Sequence, residues 1–218
     1  PMQLFTLNKT LEWGTLDLPL LGISTDWYGR DLNPPAAFTL ASDGVNLWFV
    51  ASRQAPARIH PDTGGGSFTP ELWKYDVAEL FIADADGTGY LEFNLAANGA
   101  WWACRFDSVR KAAPLQPDFA GSMTTHHDPP QPGSWLAALV VPIAFLKEHI
   151  SFDFGNRANV AFILNSPDQT LHSASKLPGN EPDFHQPQAF QHLVPTTAPR
   201  IAPIKNDTEG IKLLRQDS

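Results

Sequence analysis

Polar and aromatic side chains alternate with hydrophobic ones on both sides of a turn signal near the middle of the chain. Glu92 and Asn94 precede the signal, and Trp101 and Arg105 follow it. Carboxylate, amide and guanidinium groups can hydrogen-bond to the hydroxyls of a sugar, and an indole ring can stack on its apolar C–H face. These residue types therefore indicate ligand recognition, with a solvated ion pair on a sheet as the alternative interpretation.

The turn signal, Asn98-Gly99, predicts a β-hairpin. Counting outward with Ala97 opposite Ala100 places Glu92 opposite Arg105. Since side chains alternate along a strand, one face of this hairpin is predicted to join the core: Leu91, Phe93, Leu95, Trp102, Cys104 and Phe106. The opposite face is predicted to carry the polar and aromatic residues Tyr90, Glu92, Asn94, Trp101 and Arg105.

The preceding segment, 75–83, is apolar on both faces except at Glu79, and it is predicted to be a strand covered on both sides. An unpaired carboxylate would be costly to bury there. If the strand pairs with the hairpin, Glu79 falls on the face of Glu92 and Arg105, and the arginine supplies its counter-charge.

The segments 72–82, 90–94 and 98–101 resemble a strand and hairpin of family 9 carbohydrate-binding modules and their DOMON-like relatives. Pro182-Asp183-Phe184-His185 is similar to a stretch near the end of those modules. The resemblance implies an all-β fold, an antiparallel β-sandwich with jelly-roll-like topology. It also implies sugar binding through stacking tryptophans and charged residues, with a structural calcium ion possible. The matching positions are Trp73, Asp76, Glu79, Glu92, Asn94 and Trp101.

A second stacking tryptophan cannot be located late in the chain, where Phe184, His185 and Phe190 are the aromatic residues available after Trp135. A sugar held between two indole rings is therefore not predicted. His185, close to Asp183, is included among the candidate ligand-binding residues. Asp84 and Asp86 place oxygen atoms at alternate positions of a turn, as a calcium loop does, although an ordinary acidic turn explains them as well.

Glycoside hydrolysis is the alternative function, since it needs two carboxyl groups on one cleft. Asp76 and Glu79 are three apart on a strand and point to opposite faces. Glu79 and Glu92 share a face, but Arg105 beside them is expected to lower both pKa values and leave no proton donor. A protein-interaction module is a third possibility.

Composition agrees with an all-β protein and disfavours several partners. The 218 residues are 43% hydrophobic, and 15 glycines and 20 prolines favour short strands joined by turns. The formal charge of −8 disfavours nucleic acids and anionic membrane surfaces as partners. With one cysteine, no apolar span and no visible signal peptide, the chain is expected to be cytoplasmic unless a leader was removed.

The chain is predicted to form one β-sandwich domain over residues 1–194, followed by an extension over 195–218 with a helical turn at 209–215. Segments 36–42 and 45–51 are predicted to form a hairpin around Asp43-Gly44, and 142–149 a short helix that begins with proline. The function predicted is non-catalytic binding of a saccharide, with no cofactor required.

Overall fold

The computed structural model describes residues 1–153 and 155–197. Those residues form thirteen strands, one α-helix and two short 3₁₀ helices, Leu72–Lys74 and Pro187–Ala189. The strands are β1 (Met2–Thr6), β2 (Leu21–Thr25), β3 (Asp31–Ser42), β4 (Asn46–Arg53), β5 (Val77–Ala83), β6 (Tyr90–Ala96), β7 (Trp101–Ser108), β8 (Lys111–Ala112), β9 (Thr124–His127), β10 (Trp135–Pro142), β11 (Arg157–Asn165), β12 (Gln169–Ser173) and β13 (Gln191–Thr197). The helix is α1 (Ile143–Ile150).

The strands form one curled sheet in the order β8-β7-β6-β5-β11-β13-β1-β3-β4-β10-β9, with β12 on β11 and β2 on β3. The sheet folds into two layers. The first layer contains β1–β4, β9 and β10, and the second contains β5–β8, β11 and β12. β13 connects the two layers, because it pairs with β1 of the first and β11 of the second. The predicted all-β sandwich is thereby confirmed. Most pairings are antiparallel, but β1 runs parallel to both β13 and β3. The jelly-roll topology stays a prediction.

The main core lies between the two layers because each contributes the alternate residues of its strands. The second layer supplies Leu80, Ile82, Leu91, Phe93 and Leu95, and the first supplies Phe38, Leu40, Phe49 and Leu139. Each layer also has an outer face. The outer face of the second layer is partly covered by the segment between β12 and β13, which contributes Leu177, Phe184 and Phe190. That cover explains why β5 is buried on both sides.

Two local predictions are confirmed, and the chain's last strand crosses a predicted boundary. β3 and β4 form the expected hairpin, in which Asp43 Oδ1 accepts the amides of Val45 and Asn46 at 3.0 and 2.8 Å. The short helix is α1. β13 runs to Thr197, beyond the boundary predicted at residue 194, and the helical turn predicted at 209–215 lies outside the described residues.

The hairpin of β6 and β7 has a different register from the predicted one. Ala96 N–H donates to the Ala100 carbonyl at 2.8 Å, and Gly99 adopts φ 77°, so the loop contains three residues rather than two. Leu95 consequently pairs with Trp101 instead of Trp102. A shift of one residue exchanges the two faces of a strand. Trp101 therefore points into the core, and Trp102 points to the outer face.

Candidate functional site

A row of side chains crosses the outer face of the second layer at right angles to its strands. Trp102 on β7 pairs with Asn94 on β6, Asn94 with Glu79 on β5, and Glu79 with Ala161 on β11. Glu92 lies one row away, because it pairs with Phe81. Neighbouring strands are about 4.8 Å apart, so the two carboxyl groups and the amide form one compact cluster. The prediction that these three share a face is confirmed.

The polar members of this cluster are almost fully buried. Glu79 is 4% exposed, Glu92 6% and Asn94 2%. The Asn94 amide nitrogen donates to Glu92 Oε1 at 3.1 Å. Within the described chain, Asn94 Oδ1 has no hydrogen-bond partner. Unpaired acceptors in a buried position are costly, and they are the groups that a bound ligand could satisfy.

Burial also changes the ionisation of the two carboxyl groups. It raises the pKa of Glu79 well above its ordinary value, and the nearby charge of Glu92 raises it further. Burial raises the pKa of Glu92 to about 7, against the opposing effects of the Asn94 hydrogen bond and the Arg110 charge. The pair therefore retains protons near neutral pH.

His185 and Tyr90 lie behind Glu92. His185 Nε2 is 3.9 Å from Glu92 Oε2, and Nδ1 is 2.7 Å from the Tyr90 hydroxyl oxygen, which also accepts the Arg110 backbone N–H at 3.1 Å. Burial lowers the pKa of His185 to about 4, so the ring is neutral at higher pH. If Tyr90 donates to Nδ1, the ring N–H lies on Nε2 and faces Glu92 without a hydrogen bond between them.

Two half-buried indole rings lie on the same outer face, one beside the cluster and one against the segment that covers the layer. Trp102 lies beside Asn94 on β7. Trp27, on the loop after β2, donates its backbone N–H to Leu171 of β12 at 2.7 Å, and its ring centroid is 6.0 Å from that of Phe184. Sequence reasoning missed both tryptophans. Trp102 was predicted to face the core because the predicted register of β7 differs by one residue from the observed one. Trp27 is brought to this face only by the tertiary fold.

Two predicted site residues lie elsewhere. Trp101 was expected on the polar face, but it is 3% exposed in the core, where its ring packs edge-on against Phe68 at 4.9 Å. Arg105 was expected beside Glu92, but its guanidinium group lies 3.7 Å from both Asp84 and Asp107. Both placements were wrong for one reason, which is the three-residue loop at Gly99.

Trp73 is set apart from the row. It lies on the 3₁₀ helix before β5, it is 47% exposed, and Lys74 Nζ is 5.4 Å from its ring centroid. Its part in ligand binding stays a prediction.

The two residues predicted to bind calcium belong to an acidic turn. Asp86 Oδ1 accepts the backbone N–H of Thr88 at 2.8 Å, and Asp84 has Arg105 as its counter-ion. No group of three or more His, Cys, Asp or Glu residues suited to a metal ion occurs in the parts of the chain that the structure describes. Calcium binding stays a prediction from the family resemblance alone.

Comparison with known proteins finds similarity only at the level of structure. No family model matches the chain, and no curated protein matches it. A candidate carbohydrate-binding protein from Bacteroides uniformis has a TM-score of 0.61 at 14% identity, with 86% of this chain and 96% of that chain covered.

A family 9 carbohydrate-binding module from Caldicellulosiruptor kristjanssonii is similar in two structures. Its complex with glucose gives a TM-score of 0.58 at 11% identity, with 92% of this chain and 98% of that chain covered. Its complex with cellotriose gives 0.59 at 12% identity, with 94% and 99% covered. The resemblance to family 9 modules is confirmed for the fold. The described residues contain no helix long and apolar enough to span a membrane.

Proposed function

We propose that this protein is a non-catalytic saccharide-binding module whose site is the outer face of the second layer. The observation that carries the proposal is the row of Trp102, Asn94 and Glu79, where a buried, unpaired acceptor and a buried carboxyl group lie beside a partly exposed indole ring. The fold supports it, because similar structures include modules in complex with glucose and cellotriose.

Each part of the face has a role that sugar chemistry requires. The carboxyl groups of Glu79 and Glu92 donate and accept hydrogen bonds with ring substituents, and Asn94 Oδ1 accepts one. Trp27 and Trp102 contact the apolar C–H faces of the ring. Buried acceptors discriminate strongly among ligands, since a ligand that lacks the matching donor leaves them unpaired. The strands hold these groups rigidly, so little ordering is needed on binding.

Glycoside hydrolysis is the second candidate, and one observation favours it. Two carboxyl groups share the face, and a pKa of about 7 at Glu92 suits a general acid. Hydrolysis also needs an ionised partner to act as nucleophile or base. Burial raises the pKa of Glu79 as well, so the pair lacks the division into one acid and one carboxylate that such enzymes use. Binding without catalysis is the function that the geometry supports better.

Calorimetric titration with glucose and cellotriose tests the proposal. The wild-type protein should bind one of them, and Trp102→Ala should weaken that binding at least tenfold, about 1.4 kcal/mol. Trp13→Ala is the matched control, because it removes a half-buried indole from the opposite side of the molecule and should leave the affinity unchanged. A folded wild-type protein that ignores both sugars, or equal effects of the two variants, would contradict the proposal.

The hydrolase alternative has a separate test. Incubation with cello-oligosaccharides should release no new reducing ends. Release that disappears in Glu79→Gln, with binding retained, would establish the enzyme instead.

A further inference from the structure

Once its two carboxyl groups are ionised, the centre of the candidate site has more hydrogen-bond acceptors than donors. The Asn94 amide nitrogen is already directed at Glu92, which leaves Asn94 Oδ1 as the free atom of that side chain. A neutral ligand made only of hydroxyl groups leaves the two carboxyl groups protonated, whereas a cationic ligand stabilises their ionised form, which only accepts hydrogen bonds.

Positive charge is also scarce at this cluster. Arg105 is directed at Asp84 and Asp107, and Arg110 donates to Asp183 at 2.8 Å. Across residues 1–153 and 155–197, no Lys or Arg forms an ion pair with Glu79 or Glu92. The ring of His185 lies 3.9 Å from Glu92 and is neutral, and the Arg110 charge that reaches Glu92 is not enough to keep the pKa of that carboxyl group at its ordinary value.

We propose, resting on the function proposed above, that the preferred ligand is a saccharide with a protonated primary amine, such as a glucosamine unit. An ammonium group brings three donors, no acceptor and the positive charge that the buried carboxyl pair lacks. It would lie between Glu79 and Glu92, with Asn94 Oδ1 as a further acceptor. An N-acetylated sugar has neither the charge nor the three donors.

The aromatic border distinguishes a sugar from other amines. A linear diamine could satisfy the carboxyl groups, but it offers no ring whose C–H faces match Trp27 and Trp102. The amine and the ring should therefore contribute separately to affinity.

Calorimetry at about pH 7 with glucosamine, glucose, N-acetylglucosamine and cadaverine tests the inference. Glucosamine should bind at least about tenfold tighter than each of the other three. Glucose or N-acetylglucosamine binding as tightly as glucosamine would overturn the amine preference while leaving saccharide binding intact. Cadaverine binding as tightly would overturn the requirement for a sugar ring. Absence of binding by every sugar would contradict the proposed function itself.

A charge-removing substitution provides the second readout. Glu79→Gln keeps the size of the side chain, and the ratio of glucosamine affinity to glucose affinity should fall to about one, whatever the change in glucose affinity itself. Glu148→Gln, an exposed substitution on α1, is the control and should preserve the advantage. Thermal unfolding checks that each variant is folded, and Glu92→Gln replaces Glu79→Gln if that variant is not. A preference that survives in a folded variant would overturn the inference.

Discussion

The two outer faces of the sandwich are both rich in aromatic residues, yet they are built differently. On the first layer, the ring of His126 stacks between Trp13 and Trp48, with centroid distances of 5.7 and 5.5 Å and interplanar angles of 12° and 8°. Leu11 and Leu18, from the segment between β1 and β2, pack on the same face. On the second layer, aromatic side chains surround two buried carboxyl groups and an amide.

The difference teaches that aromatic content does not identify the binding face. Each face buries unpaired polar atoms, among them Trp48 Nε1 and Thr39 Oγ1 on the first layer and Asn94 Oδ1 and Asn159 Nδ2 on the second. Only the second also has two buried ionisable groups with raised pKa values, Glu79 and Glu92, and such perturbed groups concentrate at functional sites. The outer face of the first layer contributes packing to the fold, and the outer face of the second layer is the candidate site.

The largest expected effect is on the free energy of unfolding, which should respond differently to substitutions on the two faces. Trp48→Ala removes a side chain that is only 4% exposed and should lower the free energy of unfolding by about 3–5 kcal/mol. Trp102→Ala, at a half-buried position, should cost markedly less stability but lose saccharide affinity. Urea denaturation and calorimetry measure the two effects. A larger loss of stability in Trp102→Ala than in Trp48→Ala would contradict the assignment of the faces.

The second prediction concerns pH. The pKa of Glu92 is raised on folding, so the folded protein holds a proton that the unfolded chain releases. Its stabilising effect is present below pH 4.5 and is lost as pH rises to about 7. The loss is on the order of 3 kcal/mol. The lowered pKa of His185 acts in the opposite direction between about 4 and 6.5, and the raised pKa of Glu79 acts in the same direction as Glu92.

Above pH 6.5, stability should therefore fall with pH. Glu92→Gln should weaken this decline, whereas His126→Phe on the first layer should leave it unchanged. Urea denaturation at several pH values between about 5 and 8 provides the measurement. An identical decline in Glu92→Gln and the wild-type protein would show that the carboxyl group is not buried as described.

A third prediction tests the loop that sets the register of β7. A Cβ atom at Gly99 would lie 2.7 Å from His127 Cδ2, and the residue has φ 77°, so Gly99→Ala should cost about 2 kcal/mol. Gly29→Ala is the control, because Gly29 has φ 80° but open space around it and should cost about 1 kcal/mol. Thermal denaturation compares them. Equal losses of stability in the two variants would mean that the contact between residue 99 and His127 on the first layer does not contribute to stability.

The smallest expected effect concerns the support of Glu92. Tyr90→Phe removes the hydroxyl that contacts His185 and accepts the Arg110 amide, so saccharide affinity should fall a few-fold, about 1 kcal/mol. Replacing the imidazole ring of His126 in the stack on the other face by a phenyl ring, as His126→Phe does, should leave affinity unchanged. A larger loss of saccharide affinity in His126→Phe than in Tyr90→Phe would contradict the assignment of the site to the second layer.

Local pattern predicted the hairpins, the short helix and the clustering of Glu79, Glu92 and Asn94. The prediction succeeded because side chains alternate along each strand and because an apolar strand with one carboxylate requires a polar neighbour. It failed at Trp101, where Asn98-Gly99 is compatible with both a two-residue and a three-residue loop, and the two differ by one residue in register.

Trp27 had no local signal. It lies in a loop far along the chain from β7. Only packing of the whole sandwich brings it to the same face. The counter-ion of Glu92 was misassigned for the related reason that Arg105 moved with the register of β7.

The most direct test of the central claim follows the side-chain N–H signals of the seven tryptophans by ¹⁵N NMR during titration with glucose and glucosamine. Single Trp→Phe variants assign the signals. The account predicts that Trp102 and Trp27 shift with saturable dependence on the sugar, while Trp48, Trp101 and Trp135 do not. Shifts confined to Trp13 and Trp48, or no shift in any of the seven signals, would contradict it.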